Sequence, residues 1–267
     1  LRKFILIGEK LGHSYSPEIH RASMRKMGVQ GDYSLLEVSS QEIPGVIEDI
    51  RGGKISGMNV TIPYKVEVMN YLDLITPEAK EIGAVNTVAL EDGKLVGYNT
   101  DYWGFRYTLE KNEVDIEGKR CVILGGGGSA RAVIKALQDM GGIVYLVSRS
   151  PERIRESFSN FKGLSIISYT ELEELQGELI VNTTPVGMYP KTDACVVDAQ
   201  IIQNFSRAVD LIYNPQETLF LSRAKEGENG LYMLVGQAVK AQEIWWKRSL
   251  DTFEDIYAHI EGIVYKK

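Results

Sequence analysis

Cysteine is scarce: Cys121 and Cys195 are the only two in 267 residues. Neither belongs to a CxxC pair or has a histidine nearby. A disulfide framework needs several bridged pairs and a zinc site needs clustered ligands, so neither a disulfide scaffold nor a metal is expected, and a reducing compartment, the cytoplasm, is. Excess positive charge is also lacking. Thirty basic against 36 acidic residues leave a formal charge of −6, whereas nucleic acid or an anionic membrane calls for a basic face. Neither is expected as a partner; a net charge of this size leaves room for a local basic pocket. No stretch reaches the roughly 18 apolar residues that span a bilayer, and no internal repeat, low-complexity segment or floppy linker breaks the pattern. The opening segment, 1–10, turns to glycine and charge too early for a signal peptide. It starts at Leu1 rather than an initiator methionine, as a processed, trimmed or excised chain would.

What is present is ample material for a core, 44% hydrophobic against 25% charged residues. The length suits one large domain or two modest ones of about 100–200 residues each. Two rhythms run along it. In the first half, Phe4 to Ile7 reads as a buried strand, Pro17 to Met27 as a helix and Tyr33 to Val38 as a strand. Gln41 to Arg51 follows as a helix and Ile55 to Val60 as a strand. Ser16 before Pro17 reads as an N-cap with proline at the first helical position. Val85 to Leu90 and Lys94 to Gly97 flank Glu91-Asp92-Gly93, a hairpin turn. The second rhythm starts after Lys119: a strand over Arg120 to Leu124, a helix from Ser129 to Met140, and a strand over Ile143 to Val147. Later strands are expected at Ile166-Ile167, Leu179 to Val181 and Ala208 to Ile212. Strand–helix alternation of this kind predicts a parallel, doubly wound sheet. A long helix over Leu234 to Leu250, carrying Trp245 and Trp246, and a short one near Phe253 to Ile260 close the chain. The change of pattern places the boundary near 101–118, in a helical connection.

Gly125-Gly126-Gly127-Gly128-Ser129-Ala130 fits G-x-G-x-x-[GA] and, more tellingly, follows an apolar strand and opens a helix, the context a dinucleotide fingerprint requires. Glycines let the backbone approach a pyrophosphate while the helix N-terminus offers unpaired N–H groups. An NAD enzyme places an acid at the end of the next strand to grip the ribose 2′-hydroxyl. Here that end carries Ser148, Arg149 and Ser150, with Arg153 beyond. A guanidinium pairs with a 2′-phosphate that a carboxylate would repel, which favours NADP.

In the first half, four polar patterns fall at expected strand ends or loops: His13 to Pro17, Asn59 to Lys65, Gly83 to Thr87 and Asn99 to Asp101. Ligands of open α/β sheets gather at the carboxyl ends of strands, and this set suits a small hydroxylated acid. Singly, each residue has a plainer explanation: Ser16 as a cap, Asn86 as a turn former, Lys65 as a solvated charge, His13 as structural rather than a general base.

Taken together these motifs resemble the shikimate dehydrogenase family from end to end. Gly8 to Pro17 is similar to its opening motif, Asn59 to Lys65 to its lysine motif and Gly97 to Asp101 to its aspartate motif. Gly125 to Ala130, Asn182 to Met188, Asp210 to Pro215 and Gly230 to Gln237 continue in family order. The resemblance implies Lys65 and Asp101 as the catalytic pair, and shikimate contacts from Ser14, Ser16, Asn59, Thr61, Asn86, Tyr213 and Gln237. It also implies cofactor contacts from Gly125, Gly126, Gly127, Gly128, Ser129, Ser148, Arg149, Ser150 and Arg153, and near Leu211 and Gly230. The implied fold has an N-terminal α/β substrate domain (1–101), a Rossmann-type NADP domain (102–236) and C-terminal helices (237–267) that pack back on the first lobe. The implied reaction interconverts 3-dehydroshikimate and shikimate in aromatic amino-acid (chorismate) biosynthesis; a homodimer is compatible with the sequence. The chain departs from the family at Ser148, where asparagine is more common, and at Arg21. Quinate use, a nucleotide-sensing protein without catalysis, and a dehydrogenase of an unrelated substrate such as a folate-type carbon carrier are the competing readings; the intact Lys65 and Asp101 speak against the second and the short polar motifs against the third.

Overall fold

The apolar run Phe4 to Ile7 lies in the strand β1 (Arg2–Gly8), and it is continuous because both faces of that strand are covered. Successive strand residues point to opposite faces. Ile5 and Ile7 join a core with Ile43, Val46, Ile47 and Ile50, while Phe4 and Leu6 pack with Met24, Tyr33, Ala241 and Trp245. The computed structural model describes residues 1–12 and 14–265, and its chain falls into two compact units: 1–104 with 235–267, and 105–234.

In the first unit β1 is followed by α1 (Ser16–Met27), β2 (Gly31–Glu37), α2 (Ile43–Arg51), β3 (Gly57–Val60), β4 (Leu74–Ile75), α3 (Pro77–Ile82), β5 (Thr87–Glu91) and β6 (Lys94–Tyr98). The sheet order is β2-β1-β3-β5-β6-β4. β1 runs parallel to β2 and β3, β5 antiparallel to β3 and β6, and β4 parallel to β6. β5 and β6 form the expected hairpin. Asp92 and Gly93 both take positive φ, 48° and 77°, the pair that a two-residue turn matching the strand twist demands. Ser16 departs from its expected role. It is the first residue of α1, Tyr15 holds the cap position without a side-chain capping hydrogen bond, and the Ser16 N–H donates to Ser14 Oγ at 3.2 Å. β4 and α3, too short for a periodicity to show, are absent from the sequence reading.

The chain passes on through α4 (Thr100–Lys111) to the second unit, which contains β7 (Arg120–Leu124), α5 (Gly128–Asp139), β8 (Ile143–Val147), α6 (Pro151–Ile154), β9 (Ser165–Ile167), α7 (Tyr169–Leu172), β10 (Gly177–Asn182), α8 (Ala199–Gln203), β11 (Phe205–Asp210) and β12 (Gly227–Glu228). Every pairing is parallel, in the order β12-β11-β10-β7-β8-β9. That is the Rossmann order, with the strand sequence reversing between β7 and β10, where ligands of such sheets bind. β11 ends at Asp210 rather than at the expected Ile212, because the Asp210 carboxylate draws the Ile212 N–H onto itself at 3.0 Å.

The last two helices, α9 (Leu231–Trp246) and α10 (Phe253–Val264), return to the first unit. Trp245 stacks on Phe4 at 4.5 Å, and its Nε1 donates to the Val88 carbonyl at 3.0 Å. It occupies the space that a side chain at Gly57 would need, since a Cβ there would lie 2.4 Å from Trp245 Nε1. Among the described residues no helix is long and apolar enough to cross a membrane.

Candidate active site

β3 runs out at Val60 and the chain turns, with the Tyr64 N–H donating to the Thr61 carbonyl at 3.0 Å. The turn delivers Lys65, whose own carbonyl accepts from the Val85 N–H at 2.7 Å. Asp101 stands in the first turn of α4, which Asn99 caps by accepting the Tyr102 N–H at 3.3 Å. The Lys65 ammonium and the Asp101 carboxylate meet at 2.6 Å, with 10% of each side chain exposed. Out of water, each charge depends on the other, and an ammonium held there is a fixed cation and a proton source.

Around this pair runs a polar network. Asn86 Oδ1 accepts from the Thr100 N–H at 2.7 Å and from the Thr87 and Thr100 hydroxyls at 3.0 and 3.1 Å. Its Nδ2 has no partner among the described residues and can donate to a ligand. Asn59 is bonded inward: its amide donates to Thr87 Oγ1 at 2.9 Å and to the Asn86 carbonyl at 3.2 Å, and its Oδ1 accepts from Tyr33 at 2.8 Å. Burial holds the Tyr33 phenol well above its usual pKa, so it remains a donor. Ser14 and Ser16 share a hydrogen bond of 3.1 Å. Thr61 is half-buried with its methyl against Gly8, where a Cβ would come within 2.7 Å. Gln237 sits half-buried on α9, and Tyr213 belongs to the second unit, on the segment after β11. His13 lies outside the described residues.

The glycine loop has the form a phosphate cradle requires. Gly125 takes φ +98°, and a Cβ there would strike the Thr184 methyl at 2.6 Å. Thr183 ties the loop to the sheet by donating to the Leu124 and Gly125 carbonyls at 2.8 and 3.1 Å. Gly127 is the N-cap of α5 with no side-chain cap, and the space its Cβ would fill is open. The first N–H groups of α5 are thus left for an anion, which fits a dinucleotide pyrophosphate. At the end of β8, Ser148 Oγ accepts the Ser150 N–H at 3.1 Å. Arg149 and Arg153 are exposed, and neither has an ion-pair partner among the described residues, whereas Arg155 is engaged by Glu152 at 3.1 Å. No carboxylate occupies the end of the strand. The residues fit NADP.

Across the strand reversal, Asp210 is fully buried with no cation paired to it among the described residues. Thr218 donates to it at 2.6 Å, and the Ile212 N–H and Asn182 Nδ2 each at 3.0 Å. Burial pushes its carboxyl up to about 6, against the pull of those donors. Asn182 Oδ1 in turn accepts from the Thr184 N–H and hydroxyl at 3.0 and 2.7 Å. One carboxylate therefore shapes the segments leaving both β10 and β11. Leu211 follows directly, and a Cβ at Gly230 would lie 2.0 Å from its carbonyl oxygen.

A family model described as the shikimate dehydrogenase substrate binding domain matches residues 6–88. A shikimate dehydrogenase (NADP(+)) of Clostridium perfringens (strain SM101 / Type A) is 46% identical to this chain, over 98% of it and 99% of that protein. The chain belongs to the shikimate dehydrogenase family. Among solved shikimate dehydrogenases, a chorismate mutase/shikimate 5-dehydrogenase fusion protein from Clostridium acetobutylicum superposes with a TM-score of 0.93 at 45% identity, covering 98% of both chains. The Thermus thermophilus shikimate 5-dehydrogenase, solved with NADP(H) and shikimate, gives 0.87 at 32% identity, covering 97% of this chain and 99% of that one.

Several residues that shape the polar network of the first unit, or the strand ends of the second, escaped the sequence reading. Thr87, Thr100, Asn182 and Asp210 lie inside recognised motifs, but hydroxyls, amides and a lone acid beside strand ends carry no local mark of a shared network. Tyr33 had no signal at all, since an aromatic in a strand reads as core.

Proposed function

We propose that this chain is an NADP-dependent oxidoreductase that interconverts 3-dehydroshikimate and shikimate, with Lys65 and Asp101 handling the proton. The observation that carries the reading is the buried 2.6 Å pair of ammonium and carboxylate beside a network of hydroxyls and amides. A protein that only sensed a nucleotide would have no use for such a pair.

Reducing the ketone needs a hydride on carbon and a proton on oxygen. Bound NADPH supplies the hydride, which no side chain can. Lys65 gives its proton to the ketone oxygen as negative charge grows there, and its positive charge stabilises that oxygen beforehand. Asp101 accepts a hydrogen bond from Lys65 and so fixes the direction of the ammonium. Its second oxygen is left to receive the reacting hydroxyl. In oxidation the same groups act in reverse, the neutral amine taking the hydroxyl proton. Ser14, Ser16, Thr61 and the Asn86 amide offer the hydroxyl-matching contacts, with Gln237 and Tyr213 as further substrate contacts. Asn59, bonded inward, acts on the substrate by holding Asn86 and Thr87 in place. On the cofactor side, Gly125 to Ser129 receive the pyrophosphate, Ser148 to Arg153 the adenosine 2′-phosphate, and the backbone at Leu211 and Gly230 borders the remaining half.

The same reading places the enzyme in the cytoplasm, where Cys121 and Cys195, both free, stay reduced; a homodimer is the assembly to look for by light scattering. The activity is tested by following NADP+ reduction with shikimate, with quinate and NAD+ in parallel. NADPH should form with shikimate; a protein that binds both ligands without forming NADPH is not this enzyme.

A further inference from the structure

Arg131 lies in the first turn of α5, directly after the glycine loop, and its side chain reaches over to the segment that follows β8. Its Nη2 donates to the Ser157 carbonyl at 2.5 Å, and its guanidinium plane sits over the Phe158 ring, 4.5 Å from the centroid. Phe158 is buried. Its ring and the Ile154 methyl both lie 3.5 Å from where a Cβ on Gly126 would stand, in ordinary contact with the floor of the loop. Between β8 and Phe158 the neighbouring hydrogen bonds are local: the Arg153 N–H to the Ser150 carbonyl at 3.1 Å, the Arg155 N–H to the Pro151 carbonyl at 3.2 Å, and the Ser157 hydroxyl to the Ile154 carbonyl at 2.8 Å. Besides the packing of Ile154 and Phe158 on the loop, Arg131 joins this stretch to α5 through Ser157 and Phe158.

That stretch carries Arg149 and Arg153. Two long, exposed side chains discriminate between ligands only if their backbone is fixed. Otherwise binding must order the segment as well as the side chains, and part of the interaction free energy is lost. We infer that Arg131 is a positioning residue for the 2′-phosphate: by clamping the 148–158 segment to α5 it holds Arg149 and Arg153 at the end of β8 and so sets the preference for NADP over NAD. The inference rests on the reading that those two guanidiniums receive the 2′-phosphate. The clamp needs a planar, forked cation that can lie on a ring while donating sideways, which lysine cannot provide.

The test compares binding of adenosine 2′,5′-bisphosphate and 5′-AMP, which differ only in the 2′-phosphate, by isothermal calorimetry without catalysis. Arg131→Lys and Arg131→Ala should each cut the preference for the bisphosphate about tenfold, while AMP affinity stays within about twofold and reports that the fold is intact. Phe158→Leu, which removes the ring but no charge, should lower the preference in the same direction. Arg149→Ala tests the underlying reading separately. If it leaves the preference unchanged, the 2′-phosphate is held elsewhere and the inference falls with that reading. If Arg149→Ala lowers the preference but both Arg131 variants keep it, the assignment of Arg131 alone is overturned. It is also overturned if Arg131→Ala lowers the preference while Arg131→Lys and Phe158→Leu do not, since Arg131 would then act on the phosphate by its charge.

Discussion

Lys65 and Asp101 stand 2.6 Å apart at Nζ and Oδ2, with both side chains nine-tenths out of water. One comes from the turn after a strand, the other from the first turn of a helix.

Replacing Lys65 by Met should lower kcat by about 10²–10⁴-fold, the range expected for loss of a general acid, while KM for shikimate moves little. Asp101→Asn should also lower kcat, because the ammonium loses its fixed direction. Either change strands a buried charge and should lower stability by about 3 kcal/mol. Steady-state kinetics well below the melting temperature separate the two effects. Unchanged turnover in Lys65→Met would remove the lysine from the chemistry.

Tyr33→Phe removes the phenol that donates to Asn59 Oδ1 at 2.8 Å and leaves that buried oxygen unpaired. A loss of about 1–3 kcal/mol in urea denaturation is expected, with a rise in KM for shikimate as Asn59 and its neighbours loosen. A midpoint equal to that of the parent protein would show that the hydroxyl does not support Asn59.

At Gly230 the methyl of an alanine would be placed 2.0 Å from the Leu211 carbonyl oxygen. Backbone cannot yield there as the tip of a side chain would, so Gly230→Ala should displace the segment after β11. Affinity for NADP, read by fluorescence titration, should fall by about tenfold or more, with a stability loss of about 1–3 kcal/mol. Wild-type affinity in the variant would mean that the close approach has no bearing on the cofactor.

Two buried groups give stability opposite dependences on pH. Asp210 titrates near 6 in the folded protein against 3.8 for an ordinary aspartate, because burial disfavours its charge. The folded state therefore holds the proton more tightly, and this group's contribution is fullest below about pH 4 and is lost as pH rises through 6. About two units correspond to ~3 kcal/mol. The His20 imidazole stacks on Tyr33 at 3.8 Å and is bonded to Gln242 at 2.8 Å. Burial brings it down to about 3 from 6.5, with Asn59 opposing. Its contribution is full above 6.5 and is lost as pH falls toward 3. Against Asp210→Asn, the native protein should be relatively less stable at pH 7 than at pH 4, by ~3 kcal/mol. Against His20→Gln the difference should have the opposite sign and a similar size. Differences independent of pH would show that these groups keep their charge state on unfolding.

The longer strands and helices, the parallel second sheet and the glycine loop were determined by the sequence itself, because each is written locally. Cys121 to Leu124 is apolar throughout since that strand is covered on both faces, Asp92-Gly93 has the backbone freedom its turn demands, and three glycines stand between a strand and a helix. Contacts between residues far apart in sequence were decided only by the tertiary structure. Trp245 fills the space over Gly57, Tyr33 holds Asn59, Asp210 gathers Asn182 and Thr218, and Arg131 lies on Phe158. Periodicity and turn chemistry act over a few residues and leave a mark there, whereas a buried hydrogen bond or ion pair exists only when folding brings both partners together out of water.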